Sequence, residues 1–248
     1  ARTLMESVLR KAQRSADAVI TVTAGFSEQL RTRGVENTIC IPNGLTEELP
    51  AISPHPGRIR SSKLQVLYAG NHGESQALST VIQAAALARE FTDVTFIGSG
   101  TQKSDLKALA QSIDAPVRFL NPSHGSDLQL LYEQADTCVV SLRPDWRSFQ
   151  WTIPSKTYEL LSLGRKLTAI VQGEAQELVE RFQPNSIVGP TPEAISDYWH
   201  QLVQNPERLV IENIHVAQKT LRLSEHTDLL AATVRKVVSF KNESSRRL

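Results

Sequence analysis

The feature that most constrains this chain is a rhythm. Short, almost wholly apolar runs alternate with runs whose apolar residues recur at helical spacing. The apolar runs are Leu64–Tyr68, Val94–Ile97, Val117–Leu120, Thr137–Ser141, Leu167–Val171 and Ser186–Val188. A strand that is apolar throughout, not at every second residue, has to be covered on both faces, as in a parallel sheet. Between these runs, Leu78, Val81, Ile82, Ala85 and Ala88 form one helical stripe, and Leu106, Leu109, Ala110 and Ile113 a second. A third joins Leu128, Leu131, Tyr132 and Ala135, with Ser126 as the expected N-cap. Ser155–Leu163 and Glu174–Phe182 are the fourth and fifth. Strand and helix in strict alternation, joined by right-handed crossovers, give an α/β fold with a Rossmann-like, doubly wound parallel sheet.

Upstream, Ala18–Thr23 and Thr38–Ile41 read as strands, with a helix over Ser27–Arg33 that ends at Gly34 as a left-handed C-cap. Residues 45–62 hold Pro50, Pro54, Pro56, Gly57, Ser61 and Ser62 and read as a linker. The expected organisation is therefore 1–44, linker 45–62, main domain 63–205, helices over 206–240 and a frayed polar tail over 241–248. The opening Ala1-Arg2-Thr3 reads as the interior of a longer protein.

Composition removes several classes of function. Lys and Arg number 27 and Asp and Glu 26, so the basic surplus expected of a nucleic-acid-binding protein is missing. No apolar run approaches the roughly 18–20 residues that span a bilayer. Cys40 and Cys138 lie inside apolar runs, far apart and without nearby His partners, and read as buried free thiols; no metal site is expected.

In an open parallel sheet, ligands bind beyond the carboxyl ends of the strands. Three such ends carry candidate chemistry. The first is Tyr68-Ala69-Gly70-Asn71-His72-Gly73-Glu74, where glycine lets the backbone approach a ligand and offer amides; a plain strand-to-helix turn is the alternative. His72 by itself reads as a solvent-facing loop residue without a ligand. The second is Phe96-Ile97-Gly98-Ser99-Gly100-Thr101, with an ordinary βα loop as the alternative. The dinucleotide fingerprint G-x-G-x-x-G is not met. The third is Pro154-Ser155-Lys156-Thr157-Tyr158-Glu159. Here Ser155 is the expected N-cap, the first-turn amides favour an anion, and Lys156 adds a charge suited to phosphate. Glu159 follows Lys156 by three residues and shares its face, where a carboxylate can accept from a ribose diol. The alternative is a solvated Lys–Glu pair contributing about 0.3 kcal/mol. The loop Arg143–Trp151 crowds aromatic and cationic side chains into an exposed stretch, suited equally to a sugar or to a packed partner domain.

Along nearly its whole length the chain resembles glycosyltransferase family 4, of GT-B fold, in its bacterial polysaccharide branch. The segments that carry the resemblance are Ala16–Thr23, Ile41-Pro42-Asn43-Gly44, Val66–Asn71, Phe96–Gly100 and Pro154–Lys166. The resemblance implies the C-terminal, donor-binding half of the fold, with a remnant of the N-terminal domain before it and C-terminal helices that cross back toward that domain. It implies a retaining hexosyltransferase that moves a sugar from a nucleotide diphosphate donor, UDP in preference to GDP, to a saccharide or lipid-linked acceptor. No metal or other cofactor is implied. The location implied is cytoplasmic, at the inner membrane face through the other half; that half also supplies the catalytic residues, so the fragment alone is expected to be inactive.

By the same resemblance, Glu159 is the second glutamate of an E-x7-E motif and holds the ribose. Gly70, Asn71, Gly73, Ser155 and Lys156 face the diphosphate, and Gly98, Gly100, Phe119 and Leu120 border ribose and base. Gly173 and Glu174 lie near the donor sugar, and Arg147 and Trp151 belong to a sugar or acceptor loop. The sequence departs from the family where Trp151 stands in place of the first glutamate, and where Asn71 and Gln76 stand in place of Arg and Lys on the diphosphate. Other readings are a non-catalytic nucleotide-binding module and a sugar-nucleotide epimerase of the same fold.

Overall fold

The computed structural model describes residues 2–45, 52–222 and 224–245. They divide into two compact units, one of 1–47 with 221–248 and one of 48–220.

The larger unit contains the predicted sheet. Its strands are β3 (Leu64–Ala69), β4 (Thr92–Ile97), β5 (Val117–Leu120), β6 (Thr137–Ser141) and β7 (Leu167–Ile170), after β1 (Val19–Thr21) and β2 (Thr38–Cys40) of the smaller unit. All neighbours are parallel, in the order β5-β4-β3-β6-β7. The order reverses at β3, which makes the carboxyl ends of β3 and its neighbours the place where a crevice opens.

The helices are α3 (Leu78–Leu87), α4 (Lys103–Ser112), α5 (Gly125–Gln134), α6 (Ser155–Ser162), α7 (Glu174–Phe182), α8 (Pro192–Gln204) and α9 (Ile214–Thr220); α1 (Arg2–Ser15), α2 (Ala24–Arg31) and α10 (Ser224–Ser245) belong to the smaller unit. Helix α3 packs on α4 and α8, and α6 on α7 and α9. The core joins Leu64, Val66, Val94 and Phe96 of the sheet to Val81 and Ile82 of α3 and Ile195, Trp199 and Leu202 of α8. Trp199 is sealed, and its indole N–H donates to Thr168 Oγ1 at 3.0 Å, so its one polar atom is satisfied.

Several expectations are revised. Ser186–Val188 joins the sheet through a single bridge to Ala169 and forms no strand; Pro184 and Pro190 bracket it and deny a longer ladder. Helix α5 opens at Gly125 with extended His124 at its cap, so Ser126 lies inside the first turn. Helix α6 is capped by extended Pro154, whose carbonyl accepts from Thr157 N, so Ser155 is the first helical residue and not the N-cap. Helix α10 runs to Ser245, through the start of the expected tail.

Part of the expected linker, residues 46–51, lies outside the described residues; the rest is anchored. His55 is buried, and its Nε2 lies 2.9 Å from Oδ1 of buried Asp136. The same carboxylate accepts from Gln65 N at 2.8 Å, and Arg165 Nη2 donates to Ser53 O at 2.6 Å. A buried carboxylate needs such partners, and here they fasten residues 53–60 to the amino edge of the sheet.

In the smaller unit, β1 and β2 pair in parallel beside α2, and Leu45 bridges to Arg222. Gly34 adopts a positive φ of 79° just beyond α2, as its C-terminal role requires. Among the described residues neither Cys40 nor Cys138 is in a disulfide; Cys138 is buried and Cys40 half-buried. Among the described residues, no helix is long and apolar enough to cross a membrane.

Candidate functional site

The two glycine turns after β3 and β4 are zipped together. Gly70 N donates to Ile97 O at 2.9 Å, His72 N to Ser99 O at 2.7 Å, and Gln102 N to His72 O at 2.9 Å. These bonds prolong the β3–β4 ladder past its last paired residues, Ala69 and Ile97. Gly73 N is taken by Gln76 Oε1 at 3.2 Å. Three of the four turn amides are thus committed within the protein, and among the described residues only the Asn71 amide lacks such a partner. The turn offers an anion fewer amides than its glycines suggest.

The glycines serve the contact between the turns. A Cβ on Gly98 would lie 1.9 Å from Gly70 O, and one on Gly100 would lie 2.4 Å from His72 O. Beneath them His72 is fully buried, contrary to its reading as a solvent-facing residue. Its ring sits 5.8 Å from Tyr68, 5.9 Å from Phe96 and 6.1 Å from Phe119. Among the described residues, neither ring nitrogen has a hydrogen-bond partner. Burial first, and the Lys103 ammonium second, push its pKa down to about 4, with the Ile97 backbone opposing them in part.

Above this floor lies a cleft of about 280 Å³. Gly70, Asn71, Gly98 and Ser99 form one wall, Pro122, Ser123, His124 and Leu128 the other, and Lys156 closes one side. Lys156 Nζ donates to Glu159 Oε2 at 2.6 Å and to Tyr132 Oη at 3.0 Å. Burial, with the neighbouring Glu159 carboxylate adding to it, pushes the Tyr132 phenol up. Among the described residues, the amides of Ser155 and Lys156 make no hydrogen bond, as is usual for a first turn. The start of α6 thus carries an ammonium, free amides and a carboxylate within one turn; Lys156 lines the cavity, while Ser155 and half-exposed Glu159 are not among its lining residues.

The remaining expected residues lie further out. Gly73 lines a neighbouring hollow of about 340 Å³ with Glu74, Gln102, Arg143 and Asp145. Gly100 and Phe119 belong to the floor beneath the cleft, and the Leu120 carbonyl accepts from Lys103 Nζ at 2.7 Å. The loop after β6 is organised by Arg143, which donates twice to Asp145 and once, at 2.6 Å, to Glu74 while lying 4.8 Å from the Trp146 ring centroid. Arg147 and Trp151 share a 3-10 turn, guanidinium 6.0 Å from the indole centroid, and neither lines the cleft. Asn71 Nδ2 donates to Gln76 Oε1 at 3.5 Å, so these two positions form an uncharged pair.

Sequence reasoning missed the second wall, Pro122–His124 with Leu128, although the loop after β5 is one more carboxyl end of a strand. Among the described residues, no three His, Cys, Asp or Glu side chains are grouped to hold a metal ion.

A family model described as glycosyl transferases group 1 matches residues 63–205. No curated protein matches the chain. Among solved structures, sucrose-phosphate synthase from Thermosynechococcus elongatus superposes with a TM-score of 0.77 at 20% identity, covering 94% of this chain and 61% of its own. Alr3699/HepE of Anabaena, solved with UDP-glucose, gives 0.77 at 18% identity, covering 95% of this chain and 68% of its own. TarM of S. aureus, solved with UDP among other ligands, gives 0.68 at 14% identity, covering 94% of this chain and 46% of its own. The chain thus shares the fold of these proteins and spans about half to two thirds of their length.

Proposed function

Because the chain belongs to the glycosyl transferases group 1 family, we propose that its larger unit holds the nucleotide-sugar donor of a retaining hexosyltransferase of the bacterial polysaccharide type. The observation that carries this reading is the start of α6, where Lys156 lines a cleft at the reversal point of the sheet, bonded to Glu159 and next to two unpaired first-turn amides. The donor diphosphate lies against Lys156, the Ser155 and Lys156 amides and the Asn71 amide. Glu159 accepts from the ribose hydroxyls. The base enters between Ser99 and Pro122–His124, with Leu128 as apolar support.

As the sugar–phosphate bond breaks, negative charge builds on the departing diphosphate. An ammonium and a helix terminus already aimed at it stabilise that charge without reorganising. The chain's part in the chemistry is this leaving-group stabilisation, with no metal invoked. The remainder of the enzyme supplies the site for the saccharide or lipid-linked acceptor. We take UDP as the donor nucleotide in preference to GDP, as the UDP-glucose complex of the Anabaena relative supports. Cysteines that form no disulfide among the described residues fit a reducing, cytoplasmic compartment, with membrane association left to the rest of the enzyme.

A non-catalytic nucleotide-binding module is the second reading, favoured by Trp151 in place of an acidic donor-sugar contact. Sugar transfer by the full enzyme excludes it.

Calorimetric titration with UDP and GDP tests the proposal. UDP is expected to bind, and Glu159→Ala to lose roughly 1–3 kcal/mol, the range for a hydrogen bond to a charged acceptor. Equal affinity in both proteins removes Glu159 from the site.

A further inference from the structure

Strands β4 and β5 end their pairing at Ile97 and Leu120. Beyond that point the two chains part, one toward Gly98 and Ser99, the other toward Pro122–His124, and these become the facing walls of the cleft. Lys103 spans the split. Its Nζ donates to Gly98 O at 2.6 Å and to Leu120 O at 2.7 Å, one carbonyl from each side. It has no carboxylate partner among the described residues. Lys103 is also the first residue of α4, where a cation opposes the helix dipole. Helix formation alone does not favour lysine at this position; two carbonyls and the break in the ladder do.

We propose that Lys103 is a positioning residue that sets the width of the nucleobase end of the cleft by tying its two walls together. This rests on the donor-site reading above. The ammonium replaces the ladder bond that would come next, and so holds the strands apart at a fixed spacing where a base can enter. Because it acts on the walls, its effect falls on the nucleoside and is carried unchanged into the nucleotide.

The test is titration of the whole chain with uridine and with UDP, in wild type and in Lys103→Met, Lys103→Gln and Lys103→Arg. Thermal melts confirm that each variant is folded. Lys103→Met is expected to weaken uridine and UDP by the same factor, about tenfold. Lys103→Arg, whose several donors can also reach two carbonyls, is expected to stay within about threefold of wild type. Should the Met variant not fold, Lys103→Gln, which keeps amide donors on a shorter stem, is expected to show a smaller but equal loss for both ligands. Uridine binding unchanged by loss of the ammonium overturns the proposal. So does a loss confined to UDP, which would make Lys103 a charge on the diphosphate. Wild type that binds neither ligand overturns the donor-site reading and this inference with it; wild type that binds as well as the folded Met variant overturns this inference alone.

Discussion

Gly98→Ala is expected to destabilise the protein by about 2–5 kcal/mol, the sum of a strained backbone conformation and an overpacked contact. Gly98 has φ of 142°, which a residue with a Cβ rarely adopts. The added carbon would meet Gly70 O at 1.9 Å, and relief requires the two turns to separate. Separation breaks the Gly70–Ile97 and His72–Ser99 bonds and exposes the aromatic floor around His72. For a domain of this size the melting temperature should fall by about 5–15 °C. Because Gly98 also lines the cleft, UDP affinity should fall together with stability. A thermal melt within a degree of wild type would show that the turns have room to spare.

Acid is expected to weaken wild type more than His72→Leu. An unfolded histidine titrates near 6.5, while sealed His72 titrates at about 4. Between those values the unfolded chain takes up a proton that the folded chain refuses. Acid therefore favours unfolding, and the stability present above pH 6.5 is lost as the pH falls toward 4. The slope from this one group is at most about 1.4 kcal/mol per pH unit, and the total up to about 3 kcal/mol. The Tyr68 phenol beside it, pushed up by burial, stays neutral throughout this range. Urea unfolding at pH 7, 5.5 and 4.5 measures the effect. The difference between wild type and variant should grow as pH falls, since carboxylates contribute equally to both. Parallel curves would mean that His72 is protonated inside the fold.

The sheet was legible in the sequence because β6 and β7 are buried on both faces and β3 largely so, and that shows as apolar runs. Leu64–Tyr68 and Thr137–Ser141 could hardly be anything else, and the stripe from Leu78 to Ala88 had one helical solution. The start of α6 was legible because Pro, Ser, Lys and Glu come together there within six residues. What stayed hidden depends on partners distant in the chain. His55 looks like a linker residue until Asp136, 81 positions away, meets it in the core. His72 looks exposed until the turn at 98–100 folds over it. Lys103 resembles any surface lysine on a helix, since nothing local reveals that two carbonyls converge on it. The wall at 122–124 carries no charge or glycine pattern to attract notice, and its role appears only when β5 lies beside β4.

The most direct test of the donor site is an amide chemical-shift titration of the whole chain with UDP. The shifts are expected to gather at Gly70, Asn71, Gly98, Ser99, Ser123 and Lys156, the rim where an anion and a base would lie side by side. Saturating shifts that gather elsewhere, or a spectrum that UDP leaves unmoved, would contradict the account.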